Sequence, residues 1–135
     1  MAFVHLHVHS PFSFLDGASS IPALVQRAAE LEMPALAITD HNNVSAAIQF
    51  YKTATAAGIK PIQGAEMTLE NGHHLVCLAE NAAGYANLCK LLTCAYQYGH
   101  RLNPQVPFQA LAEYHRDLIF LSGCRRGEVP FLILQ

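Results

Sequence analysis

Ala35-Leu36-Ala37-Ile38-Thr39-Asp40-His41-Asn42-Asn43 reads as a short buried strand that runs directly into polar, chemically capable residues. Residues 35–39 are a continuous apolar run of strand length, and Asp40-His41 closes it where a helix begins. On the N-terminal side, Ile21, Leu24, Val25, Ala28 and Leu31 follow the i, i+3, i+4, i+7 rule of an amphipathic helix. Ser20 is placed to cap that helix, Pro22 sits in its first turn, and Pro34 ends it. On the C-terminal side, Val44, Ala47, Ile48 and Tyr51 form the expected inner face of a second helix, with Gly58 at its C-terminus. Strands alternating with helices predict an α/β domain with a mostly parallel sheet and helices outside it.

The same reading extends outward. Residues 3–8 are expected to form a strand ahead of the first helix, followed by a loop marked by Pro11, Asp16-Gly17 and Ser19-Ser20. Residues 60–67 and 74–79 read as strands, joined by the turn Glu70-Asn71-Gly72. Asn81 caps a longer helix with the buried stripe Leu88, Leu91, Leu92 and Ala95, ending at Gly99. Residues 108–114 form a short helix, 117–121 a further strand and 128–134 a last helix. That makes about five strands in one domain over residues 1–135.

Composition excludes several classes. Of the 135 residues, 52% are hydrophobic and 13% charged, which describes a packed globular chain. The net charge of −2 and a lone adjacent basic pair, Arg125-Arg126, give no basic stripe for nucleic acid. Contact with DNA would use a small site or other domains. No signal-peptide pattern and no membrane-length apolar run is present, so a cytoplasmic protein without membrane contact is expected. The 4 cysteines include no C-x-x-C pair, which fits a reducing compartment.

The 8 histidines matter through their placement. His7 and His9 alternate on the first expected strand, so both imidazoles face one side. Alone, such a pair more often describes two polar residues on an exposed strand. Asp16 lies in a turn, where aspartate is common for its own sake. Asp40, closing the second strand, is read as a solvated edge or a helix cap, and His41 follows it. Glu66 interrupts the apolar strand Pro61-Ile62-Gln63-Gly64-Ala65-Glu66-Met67, where a carboxylate either faces solvent or is paired. His74 begins the next strand, and Cys124 follows Ser122-Gly123 after the last one. A lone cysteine is more often a small buried hydrophobe, and Cys77, Cys89 and Cys94 are read that way. His100 and His115 are read as solvated.

Strand C-terminal ends carry the chemistry of α/β folds, and here they present His, Glu and Cys with Asp nearby. Such mixed donors suit zinc best, while manganese or iron would accept the His and carboxylate part. The donors outnumber those one tetrahedral ion needs, so two or three metals are expected. Clustered divalent metals bridged by a carboxylate are an arrangement for cleaving phosphoesters.

The strings H-L-H-V-H-S-P-F-S-F-L-D-G, A-L-A-I-T-D-H, P-I-Q-G-A-E and L-S-G-C-R-R-G-E-V-P resemble the PHP (polymerase and histidinol phosphatase) domain. The resemblance covers nearly the whole chain. H-L-V-C-L-A-E-N-A-A-G-Y-A-N-L-C-K-L-L is similar to the branch at the N-terminus of bacterial C-family DNA polymerases, the polymerase III α subunit and its error-prone relatives. The resemblance implies a distorted (β/α)7 barrel with up to three metals. It places ligands on His7, His9, Asp16, His41, Glu66, His74 and Cys124. His7, His9 and Glu66 would hold one metal and act through it. Glu66, His74 and Cys124 would hold a second, and Asp16 with His41 part of a third.

The activity implied is metal-dependent 3′–5′ exonuclease action at a DNA 3′ end, in contact with other polymerase domains. A metal-stabilised module without hydrolysis, or a phosphatase of small phosphate esters, are the alternatives. The resembled family closes its site with a late Asp-x-His that this chain lacks. The expectation is therefore the N-terminal part of a barrel, with little activity alone and self-association through the apolar end at Phe131 to Leu134.

Overall fold

The strand at Ala37 extends further than its apolar run: β1 spans Ala35–His41 and stays buried through Asp40. The computed structural model describes residues 3–134. In chain order the elements are α1 (Ile21–Glu30), β1, α2 (Ala47–Ala56), β2 (Lys60–Thr68), β3 (His74–Ala79), α3 (Ala82–Tyr98), α4 (Phe108–Tyr114), β4 (Leu118–Leu121) and α5 (Glu128–Ile133). The strands make one open sheet in the order β1-β2-β3-β4, so the α/β class holds while the described residues do not close into a barrel.

The sheet is mixed, not mostly parallel. Only β1 and β2 run parallel, and β3 is antiparallel to both β2 and β4. The reason lies in the Glu70-Asn71-Gly72 turn. Gly72 N–H donates to Leu69 O at 2.8 Å and Leu69 N–H to His73 O at 2.8 Å. So short a reversal joins only antiparallel neighbours, and Gly72, at φ +84°, takes the left-handed conformation it needs. One consequence places the site: the start of β3 lies on the same sheet edge as the ends of β1, β2 and β4.

The expected strand at residues 3–8 does not form a ladder, which leaves four strands instead of five. The segment still runs along β1. His5 and Val8 carbonyls accept from Ala37 N–H (3.0 Å) and Thr39 N–H (2.8 Å), a step of three residues against two. The extra residue breaks the pairing as a bulge does. Val8 N–H turns instead to the Thr39 hydroxyl at 3.0 Å.

The helices cover one face. Leu36 and Ile38 of β1 pack with Val25 and Ala28 of α1 and Phe50 and Ala54 of α2. Ala65, Met67 and Cys77 pack with Leu88, Leu91, Leu92 and Ala95 of α3. Strand residues alternate between faces, so Ala37, Val76 and Leu78 form a smaller cluster on the other face. His41 and Glu66 belong to that second face by register.

Caps agree with the sequence reading. The Ser20 hydroxyl accepts from Ala23 N–H, Asn81 caps α3 through Gly84 N–H, and Gly58 follows α2 at φ +73°. The inner face of α2 differs. Ala47, Phe50 and Ala54 are buried, whereas Ile48 and Tyr51 are 70% and 57% exposed. The helix starts at Ala47, later than expected, and helical periodicity alone permits either row. Burying Phe50 stabilises by about 1.5–3 kcal/mol, which selects the row that contains it.

Candidate metal centre

The centre gathers around one carboxylate. Glu66, near the end of β2, is 1% exposed. Its Oε1 lies 3.4 Å from His7 Nε2 and 3.3 Å from His74 Nδ1. Its Oε2 lies 3.3 Å from His9 Nε2 and 3.0 Å from His41 Nδ1. Asp16 closes the far side, with Oδ2 at 2.9 Å from His41 Nε2 and 3.9 Å from His9 Nε2. Cys124 Sγ reaches Glu66 Oε1 at 3.3 Å and accepts from Arg126 N–H at 3.4 Å. All the candidate residues read from the sequence therefore meet in one place.

Among the described residues three sets of donors lie close enough to share an ion: His7, His9 and Glu66; His9, Asp16 and His41; and His41, Glu66 and His74. The first matches the expected grouping. In the third, His41 stands with Glu66 and His74 where Cys124 was expected, and Cys124 reaches the cluster through its hydrogen bond to Glu66 Oε1. His9 and His41 rings stack with centroids 4.3 Å apart, so one imidazole pair walls the Asp16 side.

Sequence reasoning missed the support beneath this cluster. Asp40 is neither a solvated edge nor a helix cap: it is 1% exposed. It accepts from Ser10 N–H at 2.7 Å, from the Ser10 hydroxyl at 2.6 Å and from the Ser13 hydroxyl at 2.7 Å. The only sequence signal for it was a charge at the end of a fully apolar strand, which also fits an exposed strand end. Ser13 then holds His9. Its one hydroxyl proton goes to Asp40, so its oxygen must accept from His9 Nδ1–H at 2.9 Å and His41 N–H at 3.1 Å. That places a proton on His9 Nδ1 and, in the neutral imidazole, leaves the Nε2 lone pair facing the cluster.

This geometry calls for a cation. In the neutral imidazole the His9 Nε2 lone pair faces Glu66 Oε2 at 3.3 Å and sits 3.1 Å from His7 Nε2. Partly buried acceptors that face one another repel unless a proton or metal ion lies between them. The buried His74 Nδ1 lies 3.3 Å from Glu66 Oε1 without the alignment of a hydrogen bond, which leaves it open to a ligand. The donor set fits divalent metal on these grounds.

Ionisation points the same way. Burial pushes the Glu66 carboxyl up, but contacts with His41, His7, His74 and His9 outweigh it and hold it well below the usual range. His41 is raised above the usual imidazole value, chiefly by its hydrogen bond to Glu66. Asp16 is lowered, chiefly by its hydrogen bond to His41. Burial raises the thiols of Cys124 and Cys77, the latter to about 12, and Cys77 lies inside the α3 core as expected of a structural cysteine.

A cavity of about 690 Å³ opens above the centre. Its floor includes His7, Glu66 and His74, and its rim includes Phe14, Arg125 and Arg126. Among the described residues no helix is long and apolar enough to cross a membrane.

Comparison with known proteins agrees with this architecture. The chain is 55% identical to an error-prone DNA polymerase of Symbiobacterium thermophilum, covering 100% of this chain and 14% of that protein. It is 43% identical to the DNA polymerase III subunit alpha of Treponema pallidum, with 100% and 13% covered. For the Escherichia coli K12 subunit the identity is 44%, with 98% and 12% covered. The chain thus spans about one eighth of the length of the curated relatives it matches.

Among solved structures, an amidohydrolase from Chromobacterium violaceum with bound sulfate and no metal is 29% identical. Its TM-score is 0.58, with 71% of this chain and 34% of that chain covered. A candidate metal-dependent phosphoesterase from Bifidobacterium adolescentis shares the fold at TM-score 0.57 and 20% identity, with 72% and 34% covered. The family model described as the PHP domain matches residues 5–135, and the chain belongs to that family.

Proposed function

We propose that this domain is a metal-dependent phosphoesterase that cleaves phosphodiester bonds at a DNA 3′ end, as the 3′–5′ exonuclease module of a bacterial C-family DNA polymerase. The buried Glu66 carboxylate ringed by His7, His9, His41 and His74 carries this reading. His7, His9 and Glu66 would hold one divalent ion; His41, Glu66 and His74, with Cys124 beside the carboxylate, a second; and His9, Asp16 and His41 a third. Zinc, manganese or iron fits these donors. Bound ions of this kind acidify water and offset charge on phosphoryl oxygens.

The chain's own groups prepare that chemistry. Ser13 and Asp40 keep the His9 lone pair turned inward. Asp16 and Glu66 hold His41 from both ring nitrogens. Arg125 and Arg126, at the rim, offer cations to a phosphate. The sulfate named for the amidohydrolase supports a fold that accommodates a tetrahedral oxyanion. The relatives support a polymerase context, with other polymerase domains as partners.

The test uses the full-length polymerase that carries this domain. Elemental analysis and release of nucleotides from a 3′-labelled DNA are compared for wild type and His7→Ala/His9→Ala. Loss of both metal and release is expected. A wild-type protein that holds metal yet releases nothing overturns the exonuclease reading. That result would favour a metal-stabilised docking module, a reading otherwise supported by the exposed apolar residues Leu132, Ile133 and Leu134.

A further inference from the structure

We propose that Phe14 and Leu15 form a nucleobase platform, receiving the terminal base of a single-stranded nucleic acid whose phosphates lie against Arg125 and Arg126. The inference rests on the exonuclease reading and deepens it by naming the residues that would receive the terminal base.

Phe14 is 83% exposed and Leu15 109% exposed, beside the cluster of histidines around Glu66. Leu15 also has φ +65°, a left-handed conformation that a branched apolar side chain rarely takes. Mobility does not account for this placement, because the loop is pinned. Ser13 N–H donates to Ser10 O at 2.9 Å, and Asp16 and Gly17 N–H donate to Ser13 O at 3.0 and 2.9 Å. Both serines are anchored on buried Asp40. Gly17 approaches the Ser10 carbonyl so closely that a Cβ there would collide. A rigid, strained loop that holds two apolar side chains in water is costly unless something covers them.

Their surroundings indicate the occupant. Phe14 and Leu15 line the same cavity as Arg125, Arg126 and the floor residues His7 and Glu66. Both arginines are exposed, and among the described residues neither has a carboxylate within ion-pair distance. The Arg125–Arg126 turn is fixed by Gly127 N–H to Cys124 O at 2.8 Å and His74 N–H to Arg126 O at 2.9 Å. The mouth therefore offers an aromatic face, a cationic edge and a phosphate-cleaving floor. A nucleotide joins a flat π-face to an anionic phosphate across one sugar. A small phosphate ester would leave Phe14 and Leu15 wet. Stacking tolerates any base, as removal of successive nucleotides requires.

The experiment is a binding cycle on this chain as purified. Fluorescence anisotropy follows a labelled single-stranded oligodeoxynucleotide whose last linkage is a phosphorothioate, with either a 3′-terminal thymidine or a 3′-terminal abasic sugar. Wild type should bind the thymidine form about tenfold more tightly. Phe14→Ala should bind the two alike, and Phe14→Trp should keep the preference. Phe14 is a surface residue, and circular dichroism confirms that each variant folds. Equal binding of both oligonucleotides by wild type, no binding of either, or an unchanged preference in Phe14→Ala overturns the platform. The two readings fail separately: DNA hydrolysis by the full-length polymerase without base preference in this binding cycle removes the platform alone, and base-dependent binding here beside a full-length polymerase that holds metal yet never hydrolyses DNA removes the exonuclease alone.

Discussion

His41 and Glu66 are direct register partners across the parallel pair β1–β2, and their side chains meet at 3.0 Å on the face away from the helices. Strand pairing sets this contact, so the two residues cannot separate without loss of register. His7, His9 and His74 approach the same carboxylate from flanking segments.

Glu66→Gln keeps the shape and removes the charge. Metal per chain should fall sharply, and the metal-free protein should lose about 3 kcal/mol, because the surrounding imidazoles lose their buried anionic partner. Elemental analysis and urea unfolding check both. Unchanged metal content would contradict a central role for this carboxylate.

Ser13→Ala removes the acceptor for His9 Nδ1–H and a donor to Asp40. His9 is then free to turn its protonated nitrogen inward, and metal affinity should drop by about 10–100-fold. Asp40→Ala should instead act mainly on folding, since several buried donors lose their acceptor, at about 1–3 kcal/mol each. Metal titration set beside denaturation separates the two roles. Equal effects of both variants on affinity and on stability would contradict the division.

The pH response should reverse with metal. In the metal-free chain His41 is raised, so its stabilisation is complete below about pH 6.5 and fades as pH rises through its folded value. Glu66 and Asp16 are lowered, so theirs is present above the ordinary carboxylate range and fades as pH falls. Metal binding needs neutral imidazoles, so the metal's own contribution grows with pH. Melting temperature with and without chelator should diverge between about pH 6 and about pH 8. A constant difference would show that His41 keeps the same proton in both forms.

Cys124 reports on the Glu66 edge. Burial raises its thiol pKa, so the metal-free protein should alkylate slowly and faster as pH increases. With metal bound, labelling should stop if sulfur is a ligand. Equal labelling before and after chelation, with the fold intact, would return Cys124 to a packing role.

The last helix exposes Phe131, Leu132, Ile133 and Leu134 at 43–75%. This chain alone should self-associate through that surface, and Leu132→Glu/Ile133→Glu should leave a monomer. Light scattering after size exclusion gives the mass. A monomeric wild type would overturn this expectation.

Sequence alone determined the order of the elements from α1 onward, the caps at Ser20 and Asn81, the buried stripe of α3 and the residues that meet at the centre. These follow from local rules: side-chain period, capping chemistry and the habit of strand ends to carry function. The tertiary structure decided the rest. Helical period fits two faces of α2, and only the sheet's position selects Phe50 over Ile48 and Tyr51. Residues 3–8 have strand composition, yet one extra residue between their contacts with Ala37 and Thr39 prevents a ladder. Asp40 looks like a strand-end charge until Ser10 and Ser13, distant in sequence, fold over it. Pairing between remote segments depends on the geometry of the whole sheet, and no local pattern of residues encodes it.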